Sequence, residues 1–251
     1  MAVDYEETNL IDVGDGPHEI VFLHGWSCRT GDFAKQAQAL SDNCRVVAID
    51  WQRRIHEPGD ACAPEVVAEL IVSIIENCGL KKPILSGHSM GAFLTSCIAK
   101  WNMLPYAGLV PIDTALPRPD FVQDRYLDFC HDLRIGPYED VCRDFVVKTF
   151  FTPEELGSES TSILEGVISA PKDVAISLFE QLAVCDAGPS LMTIDKPMHL
   201  VVSGASPFNL ADLRKFVPHA TGEQIKGSGH FMTIYRADRV TSIIRSFIDA
   251  L

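Results

Sequence analysis

The sequence predicts an α/β fold built on a mostly parallel sheet, and three observations support that class. Short apolar, β-branched segments alternate along the chain with segments of helical periodicity. The apolar segments are nearly continuous, which is typical of parallel strands covered by helices on both faces. The chain has 251 residues, of which 47% are hydrophobic and 22% charged, enough for one large domain with a substantial core.

The alternation defines each element in turn. The predicted strands of the first part are 18–23, 44–50, 82–86 and 107–113, and the predicted helices are 32–40, 64–78 and 92–100. Pro64 falls in the first turn of its helix and Gly79 follows its end, which are the positions that these residues favour. The alternation resumes later with a strand at 199–204, a short segment near 223–225, a helix at 210–217 between them and a closing helix at 236–251.

The interval from 114 to 195 interrupts this rhythm, because it shows helical periodicity only. Its predicted helices are 119–133, 138–151, 153–169 and 172–185. It contains 6 basic and 15 acidic residues, so it contributes −9 to the net charge of −13. A helical segment inserted between two strands of such a sheet is expected to lie over the strand ends as a cap. We therefore divide the chain into a core, 1–113 and 196–251, and a helical cap, 114–195.

Composition also limits the classes of binding partner that we expect for this protein. A net charge of −13 disfavours nucleic acids and anionic membranes, which bind proteins largely through Lys and Arg. The N-terminal residues are acidic, with no signal-peptide pattern, and no apolar run approaches the ~18 residues that a membrane span needs. The eight scattered cysteines lack C-x-x-C spacing and are expected to be buried thiols. We expect a cytoplasmic protein with a small-molecule partner, and homodimerisation stays open.

The strongest local signal is Gly87-His88-Ser89-Met90-Gly91, which directly follows a predicted strand and directly precedes a predicted helix. In that context G-x-S-x-G forms a sharp turn that holds the serine in a strained backbone conformation at the C-terminal edge of the sheet. Glycines two residues to either side leave room for the turn. An ordinary strand–helix turn with a capping serine is the alternative. The pattern favours Ser89 as a nucleophile.

Two further motifs lie in a suggestive order around this turn. His24-Gly25-Trp26 follows the strand 18–23, and Gly227-Ser228-Gly229-His230-Phe231 precedes the closing helix. With these three motifs in this order, the chain resembles the α/β-hydrolase superfamily over residues 18–251. The resemblance implies the α/β-hydrolase fold, an oxyanion loop at His24-Gly25-Trp26 and a catalytic histidine at His230.

The chemistry of an acyl transfer explains why these residue types are needed. A serine hydroxyl becomes a strong nucleophile only when a base takes its proton, and the neutral imidazole of His230 is the candidate base. The oxyanion that develops needs N–H donors, for which the amides of Met90 and Trp26 are the candidates. The candidate substrate-binding side chains are His24, Trp26, His88 and Phe231. For His88 and for the Trp26 indole, a purely packing role is the alternative.

The acid is the point at which this sequence departs from the superfamily pattern. After the strand at 199–204 the superfamily usually has G-x-x-D, but here the segment is Gly204-Ala205-Ser206-Pro207. The superfamily's other solution places the acid after the strand that precedes the cap, which corresponds to Asp113. A carboxylate there would hold the imidazole in the required tautomer. Asp113 is therefore the predicted acid, with Asp212 as an alternative and the absence of both as a third possibility.

A second departure lies at residues 50–56. Relatives often have D-x-R-G-x-G there, whereas this chain has Asp50-Trp51-Gln52-Arg53-Arg54-Ile55-His56 and lacks both glycines. We expect a solvated loop. The alternative is that Trp51 or His56 intrudes toward the substrate channel.

Together these features predict a serine hydrolase. Its substrate would be a small apolar or aromatic ester, thioester, lactone or activated carbon–carbon bond. The predicted cap carries six phenylalanines that favour such a substrate or simply pack the cap, namely Phe121, Phe129, Phe145, Phe150, Phe151 and Phe179. We expect no organic cofactor and no metal, since the sequence has neither a nucleotide-binding motif nor metal-ligand spacing.

A second reaction class stays open. A minor branch of the superfamily comprises cofactor-free dioxygenases that open 3-hydroxy-4-quinolone rings, in which a His–Asp dyad (here His230 and Asp113) deprotonates the substrate. Features similar to that branch are Gly25-Trp26-Ser27-Cys28, Asp50-Trp51, Asp113 followed by Pro117-Arg118-Pro119-Asp120-Phe121, and the missing aspartate after Gly204. Thr114 and Met90 depart from it. A non-enzymatic binding protein is a third hypothesis, disfavoured by the complete set of candidate catalytic residues.

Overall fold

The computed structural model describes residues 9–114, 120–185, 191–207 and 210–251. These residues form a seven-stranded sheet in the order β1-β3-β2-β4-β5-β6-β7, with only β1 antiparallel to its neighbour. The strands are β1 (Leu10–Val13), β2 (His18–Leu23), β3 (Cys44–Ile49), β4 (Ile84–His88), β5 (Gly108–Ile112), β6 (His199–Ser203) and β7 (Thr221–Ile225). The predicted α/β class with a mostly parallel sheet is confirmed.

Helices cover both faces of the sheet. They are α1 (Ala34–Leu40), α2 (Pro64–Asn77), α3 (Met90–Lys100), α4 (Asp120–Ile135), α5 (Tyr138–Phe150), α6 (Ser158–Ile168), α7 (Lys172–Val184), α8 (Leu210–Phe216), α9 (Met232–Tyr235) and α10 (Ala237–Asp249). Helices α1 and α10 bury their apolar sides in one cluster, and α2 and α3 bury theirs in a second. Because consecutive strand side chains alternate between the faces, strands β2 to β6 each contribute to both clusters.

Strand β1 is an element that the sequence did not reveal. It has four residues, of which only Ile11 is buried, so its apolar signal is weak. It pairs antiparallel with β3 at the edge of the sheet, and Asp12 accepts two hydrogen bonds from the guanidinium of Arg45, at 3.0 and 2.7 Å. The pairing depends on tertiary contact, which explains why local periodicity missed it.

Helices α4 to α7 lie between β5 and β6, and we call them the helical insert. Their apolar side chains belong to the same buried cluster as those of α2 and α3, so the core continues from the sheet into the insert. The predicted helix 153–169 is divided into a 3₁₀ turn, Pro153–Glu155, and α6. That the insert acts as a cap with the boundaries 114 and 195 stays a prediction.

Two other sequence features have structural counterparts. All eight cysteines fall in the described residues, and none of them forms a disulfide. Burial raises the pKa of the Cys97, Cys130 and Cys142 thiols to about 12, so they stay protonated at neutral pH. Within the described ranges, no helix is both long enough and apolar enough to cross a bilayer.

The expectation of a solvated loop at residues 50–56 is wrong for Asp50, Gln52 and Ile55, which are buried, and above all for Trp51. This side chain is completely buried, its Nε1 donates a hydrogen bond to the carbonyl oxygen of His24 at 3.0 Å, and its ring stacks on the His24 imidazole. Indole burial removes a large apolar area from water, so the segment folds inward at Trp51. His56 is exposed, as expected of a solvated position.

The burial of Trp51 generates a stability test. We expect Trp51→Ala to lower the free energy of unfolding by about 3–5 kcal/mol, since it removes a fully buried aromatic side chain. His56→Ala, the matched control in the same segment, should change it by less than about 0.5 kcal/mol. Chemical denaturation of both variants measures the difference. Similar values for the two variants would contradict the inward-folded segment.

Candidate active site

Ser89 occupies the turn between β4 and α3, in a conformation that the surrounding glycines permit. Its φ and ψ are 54° and −117°, an unfavourable region for a residue with a side chain. A Cβ on Gly91 would lie 2.1 Å from the carbonyl oxygen of Leu23, and one on Gly87 would lie 2.4 Å from the carbonyl carbon of Gly91. Glycine at position 91 lets the turn press against β2, and glycine at position 87 lets the turn close on itself. The residues next to Ser89 are buried, while Ser89 is partly exposed.

Asp113 and His230 form a close pair beside this turn. Asp113 follows β5, and its Oδ2 lies 2.7 Å from Nδ1 of His230. A carboxylate can only accept, so the imidazole carries its proton on Nδ1, and in the neutral ring Nε2 keeps a free lone pair. The other carboxylate oxygen, Oδ1, accepts a hydrogen bond from the backbone N–H of Ser203 at 2.8 Å. Both side chains are largely buried.

The loop that carries His230 is held by the helical insert. The N–H of His230 donates to the carbonyl oxygen of Phe150 at 2.8 Å, and the Phe150 ring stacks on the imidazole with centroids 4.3 Å apart. The N–H of Gly229 donates to Oε1 of Glu155 at 2.8 Å. A Cβ on Gly229 would lie 2.1 Å from Oε2 of Glu155, so only glycine allows this approach. The insert thus fixes the backbone and the ring plane of His230.

Glu155 contacts the loop of the candidate site, and sequence reasoning missed it. Its side chain is buried, and Oε2 accepts a second hydrogen bond, from the N–H of Thr152 at 3.0 Å. The hydroxyl of Tyr235 donates a hydrogen bond to the backbone carbonyl oxygen of Glu155 at 3.0 Å. The pattern Thr152-Pro153-Glu154-Glu155 is a capping-box signal, which predicts the contact within the turn. Nothing in that local pattern indicates the contact with Gly229, 74 positions away.

His88 also contacts the loop that carries His230. Its Nε2 donates to the carbonyl oxygen of His230 at 2.9 Å, and the two rings lie 4.5 Å apart. Burial, together with the neighbouring His230, lowers the pKa of His88 to about 3, so this ring is neutral at physiological pH. A neutral donor to a backbone carbonyl positions His230 without competing for its proton.

The loop after β2 passes directly over the serine turn. A Cβ on Gly25 would lie 3.3 Å from the Cβ of Ser89 and 3.1 Å from Nδ1 of His88, so the backbone at this point is close to the serine. The loop is fixed by the N–H of Ser27, which donates to the side-chain oxygen of Gln52 at 2.8 Å. The amide of Trp26 belongs to this loop, and Met90 begins α3. Their use as oxyanion donors stays a prediction.

The two loop side chains chosen from sequence have different surroundings. The indole of Trp26 is buried, and its Nε1 donates to the carbonyl oxygen of Ala175 in α7 at 2.7 Å. It therefore joins the loop to the insert. His24 is also buried, with Nε2 3.3 Å from Oδ1 of Asp50, and it is not among the residues lining the two cavities described next. Its contacts are those of a structural residue, so the structure lends no support to substrate binding by His24.

Two cavities meet at Ser89 and His230. The outer cavity, about 340 Å³, is lined by Ser89, Asp113, Thr114, Phe121, Val122, Arg125, Tyr126, Lys148, Thr149, Phe150, Phe151, Leu182, Ser203, Ala205, Ser206, Pro207 and His230. The inner pocket, about 20 Å³, is lined by Gly25, Trp26, Cys28, His88, Ser89, Tyr126, Val146, Phe150, Val167, Phe179, Leu182, His230 and Phe231. The structure thus brings Trp26, His88 and Phe231 to the inner pocket. Ser89 and His230 line both cavities, so a molecule in either cavity could contact these two residues.

Two sequence predictions remain to be compared with the structure, namely Asp212 as the alternative acid and the expected lack of a metal site. Asp212 lies in α8, but its side chain is outside the described residues, as are residues 117–119 of the dioxygenase-like segment. In the described ranges, no three His, Cys, Asp or Glu side chains are grouped as metal ligands would be. The residues that meet at the outer cavity are suited to nucleophilic and proton-transfer chemistry.

The contact of Glu155 with the histidine loop gives a testable expectation. Glu155→Ala leaves the buried N–H of Gly229 and the partly buried N–H of Thr152 without their acceptor, so we expect a loss of about 2–4 kcal/mol in the free energy of unfolding. His230 should also lose its alignment, which lowers the rate of fluorophosphonate labelling of Ser89 by about tenfold or more. Denaturation and intact-mass kinetics measure the two effects.

The matched control for that test is Glu154→Ala, because Glu154 is an exposed acid in the same turn. It should leave both quantities nearly unchanged. Glu155→Gln keeps one side-chain oxygen as an acceptor and should fall between the two. Equal effects of the alanine substitutions at 154 and 155 would show that the buried carboxylate does not position the loop.

Comparison with known proteins shows which proteins this chain resembles. A Haemophilus influenzae protein, with the provisional name esterase/lipase, is 23% identical over 252 residues, covering 92% of this chain and 83% of that protein. Among solved structures, a Thermogutta terrifontis esterase with malate bound has 19% identity and a TM-score of 0.80, covering 96% of this chain and 92% of its own. The Burkholderia xenovorans enol-lactonase has 18% identity and a TM-score of 0.80, covering 96% and 95%.

A third solved structure, the hydrolase olei00960 from Oleispira antarctica, has 17% identity and a TM-score of 0.84, covering 97% of this chain and 95% of its own. At these identities the structures establish the shared fold. The family model extends the match to sequence, since residues 20–243 fit the Alpha/beta hydrolase family. That match spans most of the chain and includes β2, the serine turn, the insert and the His230 loop, so the protein belongs to the alpha/beta hydrolase family.

Proposed function

We propose that the protein is a serine hydrolase with Ser89 as nucleophile, His230 as general base and Asp113 as the acid that orients it. One observation carries this proposal. The strained Ser89 and the hydrogen-bonded Asp113–His230 pair open onto the same cavity of about 340 Å³. A backbone strain of this kind needs compensation from the surrounding structure and is concentrated at functional sites.

The reaction follows from these positions. Nε2 of His230 takes the proton of the Ser89 hydroxyl as Oγ attacks the substrate carbonyl, and the Asp113 carboxylate stabilises the imidazolium that forms. The amides of Met90 and Trp26 donate to the resulting oxyanion, with the N-terminus of α3 adding its dipole. His230 then returns the proton to the leaving group, and a water molecule activated by the same imidazole hydrolyses the acyl-enzyme. These steps need no metal or organic cofactor.

The substrate class is a small ester, thioester or lactone, or an activated carbon–carbon bond. The outer cavity fits a small molecule, and aromatic side chains from the insert, Phe121, Phe150 and Phe151, supply an apolar wall. The names of the similar proteins support esters and lactones, since they include an esterase and an enol-lactonase. In this proposal the helical insert is the cap that encloses the substrate.

A second candidate function uses the same pair of residues. The hydrogen bond between Asp113 and His230 is also the dyad that a cofactor-free ring-cleaving dioxygenase would use to deprotonate a 3-hydroxy-4-quinolone. In that reaction Ser89 does not form a covalent bond. The two candidates therefore differ in their dependence on Ser89 and in the consumption of oxygen.

The first test is fluorophosphonate labelling with intact-mass analysis and peptide mapping. We expect one adduct, on Ser89, and none in Ser89→Ala, whose esterase activity should fall by about 10³-fold or more. The control is Ser73→Ala, an exposed serine on α2, which should label normally. Retention of more than about a tenth of the activity by Ser89→Ala would contradict covalent catalysis. Oxygen uptake with a 3-hydroxy-4-quinolone would then favour the dioxygenase.

The second test identifies the acid. Asp113→Asn keeps the shape of the side chain but removes the charge that stabilises the imidazolium, so kcat should fall by about 10³–10⁴-fold. Asp212→Asn should change kcat by less than about twofold, because the proposed triad makes no use of it. Steady-state kinetics on one chromogenic ester compares the two. A larger loss in Asp212→Asn would move the acid to α8.

A further inference from the structure

The charges around the outer cavity are the reverse of those on the rest of the insert. The interval 114–195 has 15 acidic and 6 basic residues, yet the charged side chains that the described insert places on the cavity wall are both cations, Arg125 and Lys148. Among the described lining residues, the one carboxylate is that of Asp113, which is already engaged by His230 and Ser203. The cavity wall thus carries positive charge in a protein of net charge −13.

Arg125 is itself an exposed residue, and its side chain contacts two neutral partners. Its Nη2 donates to the hydroxyl of Thr149 at 2.6 Å, and its guanidinium carbon lies 5.5 Å from the centroid of the Phe145 ring. In the described part of the chain, no carboxylate forms an ion pair with it. Arg134, from the same helix, differs in this respect, since it pairs with Glu180 at 2.5 and 2.6 Å. Arg125 therefore keeps its full charge and most of its N–H donors for a ligand.

Lys148 is less suited than Arg125 to a fixed contact with a ligand. It forms an ion pair with Asp144 at 2.7 Å, one turn away on α5, and its side chain is 67% exposed. An exposed, paired ammonium contributes a screened attraction at the mouth of the cavity rather than a fixed contact. The specific contact is expected from the guanidinium, whose planar fork matches a carboxylate with two parallel hydrogen bonds.

We propose that the outer cavity takes a substrate bearing a free carboxylate, which Arg125 binds while the scissile carbonyl lies at Ser89. The inference rests on the proposed hydrolase function and specifies its substrate as a carboxylate-bearing ester, thioester or lactone. The apolar wall of Phe121, Phe150 and Phe151 contacts the carbon chain between the two groups. Because the whole protein repels anions, this local cation is what permits an anionic substrate to bind.

The test compares two esters that differ in the terminal group, which is a charged carboxylate in one and a neutral methyl in the other. The mono-p-nitrophenyl ester of adipic acid carries a free carboxylate, and p-nitrophenyl hexanoate is its neutral counterpart of similar length. We expect the wild-type kcat/KM to favour the anionic ester by about tenfold or more. Arg125→Gln should abolish most of that preference, mainly through a higher KM for the anionic ester, since the contact holds ground state and transition state alike.

The matched control is Arg143→Gln, which removes the same charge from an exposed position on α5 away from the cavity lining. It should leave the preference intact. A wild-type preference for the neutral ester, or an equal loss of preference in the Arg125 and Arg143 variants, would overturn the proposal.

A binding measurement separates failure of this inference from failure of the hydrolase proposal. Calorimetric titration with adipate, which contains no scissile bond, should show binding that weakens by about tenfold in Arg125→Gln and is unchanged in Arg143→Gln. Adipate binding of this kind would support the carboxylate site even if neither ester were hydrolysed. Absence of adipate binding, or inorganic phosphate binding as tightly as adipate, would overturn a carboxylate-specific site.

Discussion

The position of His230 depends on two hydrogen bonds that backbone N–H groups of its loop donate to the helical insert. The carbonyl oxygen of Phe150 accepts from His230 itself, and the buried carboxylate of Glu155 accepts from Gly229. A buried carboxylate is costly to desolvate unless its oxygens are satisfied, and here two backbone N–H groups satisfy it. The site is therefore completed only when the insert is folded against the sheet, so core and insert act as one unit.

The same attachments bear on how a substrate would enter the proposed hydrolase. The insert is attached to the loops of the site at the end of α5, at the turn 153–155 and at α7, where Ala175 accepts from the indole of Trp26. Lifting the whole insert would break all three attachments and misplace both His230 and the loop after β2. In the proposed hydrolase, a substrate that enters through the outer cavity, between α4, α5 and the segment that follows β6, would leave these attachments intact.

Features that depend on neighbours in the sequence could be predicted, whereas features that depend on residues distant in the sequence could not. The serine turn is encoded locally, because Gly87 and Gly91 flank the strained residue, and the alternation of elements gave the fold class. Three features escaped: the edge strand β1, the inward position of Trp51 and the contact of Glu155 with Gly229. Each depends on a partner more than 20 positions away, at which local periodicity has no information. The candidate acid Asp113 is intermediate between the local and the long-range features. It was predicted because the segment 204–207, where the superfamily usually carries the acid, contains no aspartate.

The segment after β6 explains in physical terms why an acid from β5 faces the histidine. A Cβ on Gly204 would lie 2.6 Å from the backbone nitrogen of Gly227, and the N–H of Ala205 donates to the carbonyl oxygen of Ser228 at 3.0 Å. This segment is thus pressed against the histidine loop through its backbone. It contributes no acidic side chain between residues 204 and 207, but the N–H of Ser203 donates to Asp113. Strand β6 therefore orients the carboxylate of its neighbour, and the hydrogen bond to Nδ1 of His230 follows from that orientation.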